Sequence, residues 1–251
     1  MLQVRNIEKY YGTGGNVTKA LDRVSFTVER GEFIAIMGAS GSGKTTLLNC
    51  IATIDTVSAG DILLDGVSLA DLSPRDLAQF RRENLGFVFQ DFNLLDTLTL
   101  EENIGLALTL NHQDPNGVRR RVAEVAALLG IQDVLGKFPY QVSGGQKQRA
   151  AVARACITEP RLLLADEPTG ALDSRSADQL LDLFGQLNRE GQTILMVTHS
   201  AKAASRASRV LFIKDGEVYH QLYRGERSNE AMFTQIADTL TALATGGADR
   251  G

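Results

Sequence analysis

A glycine-rich loop between two apolar stretches constrains the fold of this chain more than any other feature. The loop, "GASGSGKTT", runs from Gly38 to Thr46 and lies between "FIAIM" and "LLNCIATI". Glycines adopt positive φ angles easily, so several backbone N–H groups can point at one anion. A helix that begins at such a loop adds the positive end of its dipole. The segment therefore predicts a strand, a phosphate-binding loop and a helix, in that order.

The spacing of the loop matches G-x-x-x-x-G-K-[ST], with Gly38, Gly43, Lys44 and Thr45 at the defining positions. In this pattern the backbone binds phosphates, the lysine reaches the β and γ oxygens, and the hydroxyl binds Mg²⁺. "SGSG" by itself is typical of a flexible linker, but the flanking strand and helix favour a phosphate loop over a flexible turn. The candidate phosphate-binding residues in the loop are Gly38, Ala39, Ser40, Gly41, Ser42, Gly43, Lys44, Thr45 and Thr46.

Length, composition and charge narrow the classes of function. The chain has 251 residues, 43% of them hydrophobic, and a net charge of -4 at pH 7. This charge gives no overall basic field to attract nucleic acid, and the arginine runs at 81–82 and 119–121 are expected on solvated helix faces. No apolar run approaches the ~20 residues that cross a bilayer, and the first residues lack a signal-peptide pattern. The two separated cysteines favour a reducing compartment. We expect a protein that is neither secreted nor membrane-spanning by itself.

The order of periodic segments predicts an α/β protein with an inserted helical region. Residues 2–36 alternate or run apolar like strands, with "GTGGN" as a turn. From Asp91 to about Ile157 apolar residues recur at helical spacing. After Pro160 the apolar strands "RLLLAD", "TILMVTH" and "RVLFIKDGEVY" return, with a helix between the first two. Buried strands that alternate with helices indicate a mainly parallel sheet.

Polar residues at the ends of these strands form a candidate catalytic set. "LLLADE" ends in Asp166 and Glu167, and a parallel sheet gathers its ligands at the carboxyl ends of its strands. Asp166 suits a Mg²⁺ ligand, and Glu167 suits the group that polarises an attacking water. "VSGGQKQR" precedes a helix and predicts a second anion-binding helix N-terminus. Gln90 is predicted to end one further strand and His199 another, although a lone glutamine or histidine is more often structural.

Taken in order, these motifs resemble the nucleotide-binding subunit of an ATP-binding cassette (ABC) transporter over nearly the whole chain. The resemblance implies that Tyr11, rather than its neighbour Tyr10, stacks on adenine, and that Gln90 senses the γ-phosphate and reaches the metal. It implies ATP and Mg²⁺ as ligands, with Thr45, Gln90 and Asp166 near the metal. The catalytic residues that it implies are Lys44, Glu167 and the switch histidine His199. The signature that acts on a second subunit is Ser143, Gly144, Gly145 and Gln146, and the D-loop residue is Asp173.

The resemblance also implies the architecture and partners. The expected fold is a P-loop NTPase (RecA-like) core with a mainly parallel sheet, an N-terminal antiparallel β subdomain and an inserted helical subdomain. The chain would be one ABC ATPase domain over 1–251, with the core in 1–91 and 156–225, the helical subdomain in 92–155 and a tail in 226–251. Two copies would pack head to tail on an integral membrane permease. The expected location is cytoplasmic, peripheral on the inner face of the cell membrane.

Within the family, the group that includes lipoprotein-release and macrolide-export systems is resembled most by "MGASGSGKTTLLN", "FVFQDFNLLDTLTLEENI", "VSGGQKQRAAVARA" and "DEPTGALDS". Its bacitracin-resistance branch is favoured by "NLLDTLT", "GALDSRSA" and "MFTQIADTL". That branch implies a large permease and a sensor kinase reached through it. The alternatives are a soluble ABC ATPase of DNA maintenance or translation, or a regulatory module coupled to a kinase. Two positions depart from the family pattern, which commonly has leucine in place of Val142 and aspartate in place of Ser200.

Overall fold

The protein is described by a computed structural model that covers residues 1–12, 17–111 and 114–245. Residues 13–16 of the predicted "GTGGN" turn and residues 246–251 of the predicted tail lie outside the described residues. The strands are β1 (Leu2–Tyr11), β2 (Thr18–Val28), β3 (Phe33–Met37), β4 (Ala59–Leu64), β5 (Val67–Ser68), β6 (Leu85–Val88), β7 (Leu162–Asp166), β8 (Thr193–Val197), β9 (Arg209–Lys214) and β10 (Glu217–Tyr223). The α-helices are α1 (Lys44–Ile51), α2 (Pro74–Asn84), α3 (Leu100–Leu110), α4 (Pro115–Leu128), α5 (Gly144–Cys156), α6 (Ser174–Arg189), α7 (Ala201–Ala204) and α8 (Asn229–Thr245).

Ten strands of the described chain form two sheets. The larger sheet has the order β10-β9-β3-β8-β7-β6, and only the β9–β10 pair is antiparallel. Every residue of β3 and β8 is buried, as expected for strands covered on both faces. The smaller sheet, β2-β1-β4-β5, is antiparallel throughout. The predicted α/β fold, with its parallel core sheet and N-terminal antiparallel sheet, is confirmed.

Two apolar cores lie on opposite faces of the larger sheet. One core joins that sheet to α1 and to the inner face of the antiparallel sheet, and includes Ile34, Leu48 and Leu164. The other core joins the sheet to α3, α4, α5, α6 and α8, and includes Phe184 and Ile236. Because side chains of a strand alternate between faces, neighbouring residues of β7 contribute to different cores.

The helical insertion is built from helices with well-defined starts. Thr99 and Glu102 form a reciprocal capping box at α3, and Ser143 and Gln146 form another at α5. Asp114 caps α4, where proline follows at the first helical position. The predicted insertion, 92–155, contains α3, α4 and all of α5 except its last residue.

Candidate functional site

The phosphate loop lies at the carboxyl end of β3, where glycines are required by close backbone approach. A Cβ on Gly43 would lie 2.4 Å from the Ala20 carbonyl oxygen, and one on Gly38 would lie 2.2 Å from that of Ile213. Gly43 has φ 97° and directly precedes α1, and Gly41 has φ 78°. No L side chain fits the first two positions without moving the backbone. The loop therefore has the compact form needed to surround an anion.

Two side chains of the loop fit a phosphate group. The Lys44 ammonium donates hydrogen bonds to the carbonyl oxygens of Gly38 (3.0 Å) and Ala39 (2.8 Å). Burial lowers the pKa of Lys44, while the nearby carboxylates of Glu167 and Asp166 oppose that change. The Ser42 hydroxyl is buried and has no hydrogen-bond partner among the described residues. An unpaired hydroxyl and an ammonium group in one glycine-rich loop fit an anionic ligand.

The acidic pair that ends β7 lies directly opposite this loop. The Thr45 hydroxyl donates to Asp166 at 3.4 Å, although 121 residues separate them in sequence. Burial raises the pKa of Asp166, the Glu167 carboxylate raises it further, and the contacts with Thr45 and Lys44 oppose the rise. A hydroxyl and a carboxylate at this separation are the hard oxygen donors that Mg²⁺ prefers. The residues present therefore fit the predicted magnesium position.

Glu167 and His199 are brought together because β7 and β8 are parallel neighbours. Asp166 pairs with Val197 at the ends of these strands, and the Glu167 N–H donates to the Val197 carbonyl at 2.9 Å. The Glu167 carboxylate accepts a hydrogen bond from the His199 backbone N–H (3.2 Å) and lies 2.9 Å from His199 Nδ1. Glu167 itself has φ 45°, an uncommon angle outside glycine that turns the chain sharply after the strand.

Together these residues line one open cleft of about 350 Å³. Its lining consists of Ala20, Gly38, Ser40, Gly41, Gly43, Lys44, Thr45, Thr46, Glu167 and His199. Nine of the ten were predicted from sequence as ATP-binding or catalytic, and Ala20 was not. The His199 side chain is 73% exposed, so it is open to a ligand at the mouth of the cleft.

The structure distinguishes the two adjacent tyrosines. The Tyr11 hydroxyl donates to Asp55 at 2.7 Å, and the Lys9 ammonium lies 4.9 Å from the centre of its ring. Burial and Asp55 raise the pKa of the Tyr11 phenol, while a hydrogen bond with Thr46 of the phosphate loop lowers it. Tyr10 points away, toward Glu8 and Lys19. Tyr11 is therefore the tyrosine that lies beside the phosphate loop.

Gln90 lies two residues beyond β6, not at its end as the sequence predicts, because pairing with β7 stops at Val88. Its side chain packs against Gly170, where a Cβ would lie 3.3 Å from the Gln90 amide nitrogen. His199 likewise lies two residues beyond β8. Gln90 is thus near the turn that follows Glu167, outside the lining of the cleft.

The signature residues lie away from the cleft of their own chain. Ser143 caps α5: its hydroxyl accepts from the Gln146 N–H at 3.3 Å, and Gln146 Oε1 accepts from the Ser143 N–H at 3.0 Å. Gly145 packs so tightly against the start of α6 that a Cβ would lie 2.8 Å from the Ser176 hydroxyl. Asp173 caps α6 and accepts from Ser176, which lowers the pKa of its carboxyl. The signature and the D-loop therefore form one continuous surface.

Three residues show what sequence reasoning missed or left open. Gln148, within the quoted "VSGGQKQR", is completely buried on the face of α5 that carries Ala151 and Val152. A long polar residue on an apolar helix face was the available signal. Arg154, on the same helix, donates to the carbonyl oxygens of Phe92 (3.0 Å) and Asn93.

The Ser200 hydroxyl caps α7 by accepting from the Ala203 N–H at 3.2 Å. Aspartate is an equally good capping residue, so serine preserves this local contact.

Comparisons with known proteins agree with this geometry. The protein family described as ABC transporter matches residues 21–170. ABC transporter ATP-binding protein YxdL of Bacillus subtilis is 52% identical over 245 residues, which cover 97% of this chain and 94% of the relative. Bacitracin export ATP-binding protein BceA of Halalkalibacterium halodurans is 50% identical, with 97% and 96% covered. Macrolide export ATP-binding/permease protein MacB of Hyphomonas neptunium is 42% identical, over 96% of this chain and 39% of that protein.

Two solved structures extend the comparison to the fold. The dimeric bacterial ABC transporter cassette MJ0796 superposes with a TM-score of 0.83 at 38% identity, covering 89% of this chain and 98% of that one. A dimeric post-hydrolysis state of MJ0796 bound to ADP and Pi superposes with a TM-score of 0.82 at 37% identity, again over 89% and 98%. Among the described residues, no helix combines the length and apolar character needed to cross a membrane. The chain belongs to the ABC transporter family and is an ATP-binding subunit, an ATPase, of that family.

Proposed function

We propose that this chain hydrolyses MgATP in the cleft formed by Lys44, Thr45, Asp166, Glu167 and His199. The observation that carries the proposal is the convergence of these five residues at the carboxyl ends of β3, β7 and β8. Lys44 is ready to exchange its two loop carbonyl partners for phosphate oxygens. Phosphoryl transfer depends mostly on positioning and charge stabilisation, which this cleft supplies.

The catalytic roles follow from the contacts around the acidic pair. Thr45 and Asp166 would hold Mg²⁺, with Gln90 joining them from the lobe boundary, and the bound metal would neutralise charge on the phosphates. Glu167 would accept a proton from the attacking water. His199 orients the Glu167 carboxylate through its backbone N–H and presents an exposed ring to the γ-phosphate. Tyr11 would stack on adenine, since it lies beside Thr46 at the far end of the loop.

The active arrangement is proposed to need two subunits. Ser143, Gly144, Gly145 and Gln146 form a capped helix N-terminus suited to an anion, but they do not line the cleft of their own chain. A second copy packed head to tail would place its signature over the γ-phosphate. Asp173 lies beside the signature, where it shapes the surface that the partner copy contacts. The dimeric state of the similar cassette MJ0796 supports this arrangement.

Mixing two inactive variants tests the shared site. Lys44→Ala damages the phosphate loop and Ser143→Arg blocks the signature, so each homodimer loses both sites. A mixed dimer has one site with both lesions and one with neither. With random pairing at equal concentrations, hydrolysis is expected to return to about one quarter of the unmodified rate, measured as phosphate release.

Control mixtures contain each variant with itself at the same total concentration. A chain that sediments as a monomer and still hydrolyses ATP at the full rate would contradict the shared site.

We further propose that the chain powers a permease for peptide antibiotics or for lipid and lipoprotein handling. The similarity to a bacitracin export protein and to macrolide export proteins supports this cargo class. The chain would then lie in the cytoplasm on the inner face of the cell membrane. A sensor kinase reached through the permease is part of the same proposal, as implied by the bacitracin branch. A soluble ATPase of DNA maintenance or translation is not favoured, since the similar proteins are named as transporter subunits.

The permease is proposed to dock beside Gln90. An apolar groove of about 400 Å³ lies along β6, the strand that leads to this residue. It is lined by Ala52, Ile54, Arg81, Leu85, Phe87 and Phe89. The segment after Gln90 displays Leu95, which is 47% exposed. The buried side chain of Asn103 fixes the backbone of Leu95. It accepts a hydrogen bond from the Leu95 N–H (2.7 Å) and donates one to the Leu95 carbonyl oxygen (3.0 Å). A short amphipathic helix of the permease fits an apolar groove with such an anchor.

The structure refines which residues of "DFNLLDTLTLEEN" are available as anchors. Leu94 packs partly against the helical core. Phe92 lies against the start of α5: its ring is 6.0 Å from the Lys147 ammonium, and its tip is 3.9 Å from a Cβ placed on Gly144. Replacing Phe92 would therefore disturb the signature as well. Leu95 and Ile54, which is 50% exposed, are the better test positions.

Leu95→Ser combined with Ile54→Ser is expected to weaken permease binding by about 10-fold or more, because two apolar anchors are lost. Binding would be measured by titrating the detergent-solubilised permease, and nucleotide binding by the isolated subunit should not change. Leu110→Ser is the matched control, since Leu110 is 61% exposed at the other end of α3. Unchanged permease affinity in the double variant would place the docking surface elsewhere.

A further inference from the structure

A single buried amide joins the two loops that carry the proposed catalytic groups. Gln148 Nε2 donates to the carbonyl oxygen of Phe89 at 3.2 Å and to that of Pro168 at 2.8 Å. Phe89 directly precedes Gln90, and Pro168 directly follows Glu167. The side chain has no exposed surface. Both amide hydrogens are therefore used to hold two loops that are distant in sequence.

The two loops also contact each other at Gly170. A Cβ on Gly170 would lie 3.3 Å from the Gln90 amide nitrogen and 3.3 Å from the Glu167 carbonyl oxygen. The Gly170 N–H donates to that same carbonyl oxygen at 2.9 Å. A shift of the loop at Gln90 would therefore displace the turn after Glu167, and Gln148 is hydrogen-bonded to both segments.

The helix that carries Gln148 begins at the signature. Ser143 is the cap of α5, and Gln148 lies about 7.5 Å farther along the helix, at ~1.5 Å per residue. Arg154 adds a second link from α5 to the segment after Gln90 through the Phe92 carbonyl oxygen at 3.0 Å. A short helix moves as a rigid body over this distance. If the nucleotide bound to the partner subunit displaces the signature, the movement of α5 would therefore displace both loops.

The other end of the Gln148 amide is unpaired. Its Oε1 atom is buried and accepts no hydrogen bond from the described residues. A buried acceptor without a donor is rare and costly, so it calls for an explanation. Movement of the two loops could lengthen a hydrogen bond from Gln148 Nε2. A new hydrogen bond to the free Oε1 acceptor would then offset the loss. This property suits a residue at a boundary where two parts of the protein rotate.

We propose that Gln148 is a positioning residue that couples the signature helix to Gln90 and Glu167, so that the two loops take their hydrolytic positions together. The proposal rests on the roles proposed above for Gln90 and Glu167. Gln148 does not touch the nucleotide cleft, so its effect falls on the rate of hydrolysis and not on ATP affinity.

Gln148→Met tests the proposal, because methionine has a similar length and no amide donor. We expect the single-turnover rate constant of the 251-residue chain to fall by about 10-fold, with the Kd for ATP unchanged, because two buried carbonyl oxygens lose their donor. Gln148→Asn is a milder variant that keeps the donors but is too short to reach both loops. It should show a smaller loss in the same direction and decides the question if the methionine variant does not fold.

Asn188→Leu is the matched control. The Asn188 amide also bridges two loop carbonyl oxygens, those of Gly31 (2.8 Å) and Gln192 (2.9 Å), away from the cleft. Both variants are expected to lower the thermal unfolding temperature, but only Gln148→Met should slow hydrolysis. Combining Gln148→Met with Gln90→Ala should slow hydrolysis little more than the stronger single variant, because the two residues act on the same step.

Each outcome has a distinct meaning. Equal rates in Gln148→Met and Asn188→Leu, or multiplicative effects of Gln148→Met and Gln90→Ala, would overturn the coupling role. Normal hydrolysis by Gln90→Ala and by Glu167→Gln would instead refute the proposed catalytic roles themselves, and the coupling role with them.

Discussion

Replacing Glu167 with glutamine is expected to slow ATP hydrolysis by about 100-fold or more, the usual contribution of a general base. Glutamine keeps the size of the side chain and can still accept the hydrogen bond from the His199 N–H, which is 3.2 Å long in the native protein. It cannot take a proton from water. Single-turnover hydrolysis with excess protein would measure the loss directly.

ATP affinity should survive this substitution, because Lys44 and the phosphate loop are unchanged. The variant should therefore accumulate as an ATP-bound dimer, detectable by sedimentation. Glu217→Gln is a suitable control, since it makes the same chemical change on an exposed position of β10. Normal turnover by Glu167→Gln would assign catalysis to another group.

The second large effect is expected from Lys44→Ala, which should weaken ATP binding by about 10- to 100-fold. This range corresponds to the loss of charge-assisted hydrogen bonds to phosphate. Lys44 is buried, and among the described residues its ammonium donates hydrogen bonds only to the carbonyl oxygens of Gly38 and Ala39. Fluorescent ATP titration of the isolated chain would give the Kd.

A second measurement separates lost binding from lost folding. Removing the lysine leaves two loop carbonyl oxygens without their donor, so the thermal unfolding temperature should be measured alongside the Kd. Lys137→Ala, at an exposed lysine of the helical insertion, is the matched control and should bind ATP normally. ATP affinity equal to that of the unmodified chain would contradict the role of Lys44 as the phosphate ligand.

These two variants test different parts of one site, and they should be separable. Lys44→Ala should lower occupancy at any ATP concentration below its new Kd, whereas Glu167→Gln should be slow even when saturated. The comparison also tests whether the cleft is one functional unit. Its two sides come from residues 38–46 and 166–199, which meet only because β3, β7 and β8 are neighbours.

Much of the local structure followed from the sequence. The phosphate loop, the acidic strand end and the capped signature helix depend on backbone angles, capping and burial within short segments, and these are properties of neighbouring residues. Gly38, Gly43 and Ser143 could therefore be assigned before any contact was known. The family itself followed from the order of such motifs, because each requires a local context that chance rarely repeats.

Only the tertiary structure decided which distant segments meet. β3 directly follows β1 and β2 in chain order. It nevertheless lies in the other sheet, between β9 and β8. That strand order places His199 beside Glu167. Packing of the antiparallel sheet against the larger sheet places Tyr11 beside Thr46, and packing of α5 buries Gln148 between two loops. Periodicity reports which face of an element is buried but not which element covers it, because many partners offer an equally apolar surface. Side-chain packing across the whole core selects one, and the geometry of the site follows from that selection.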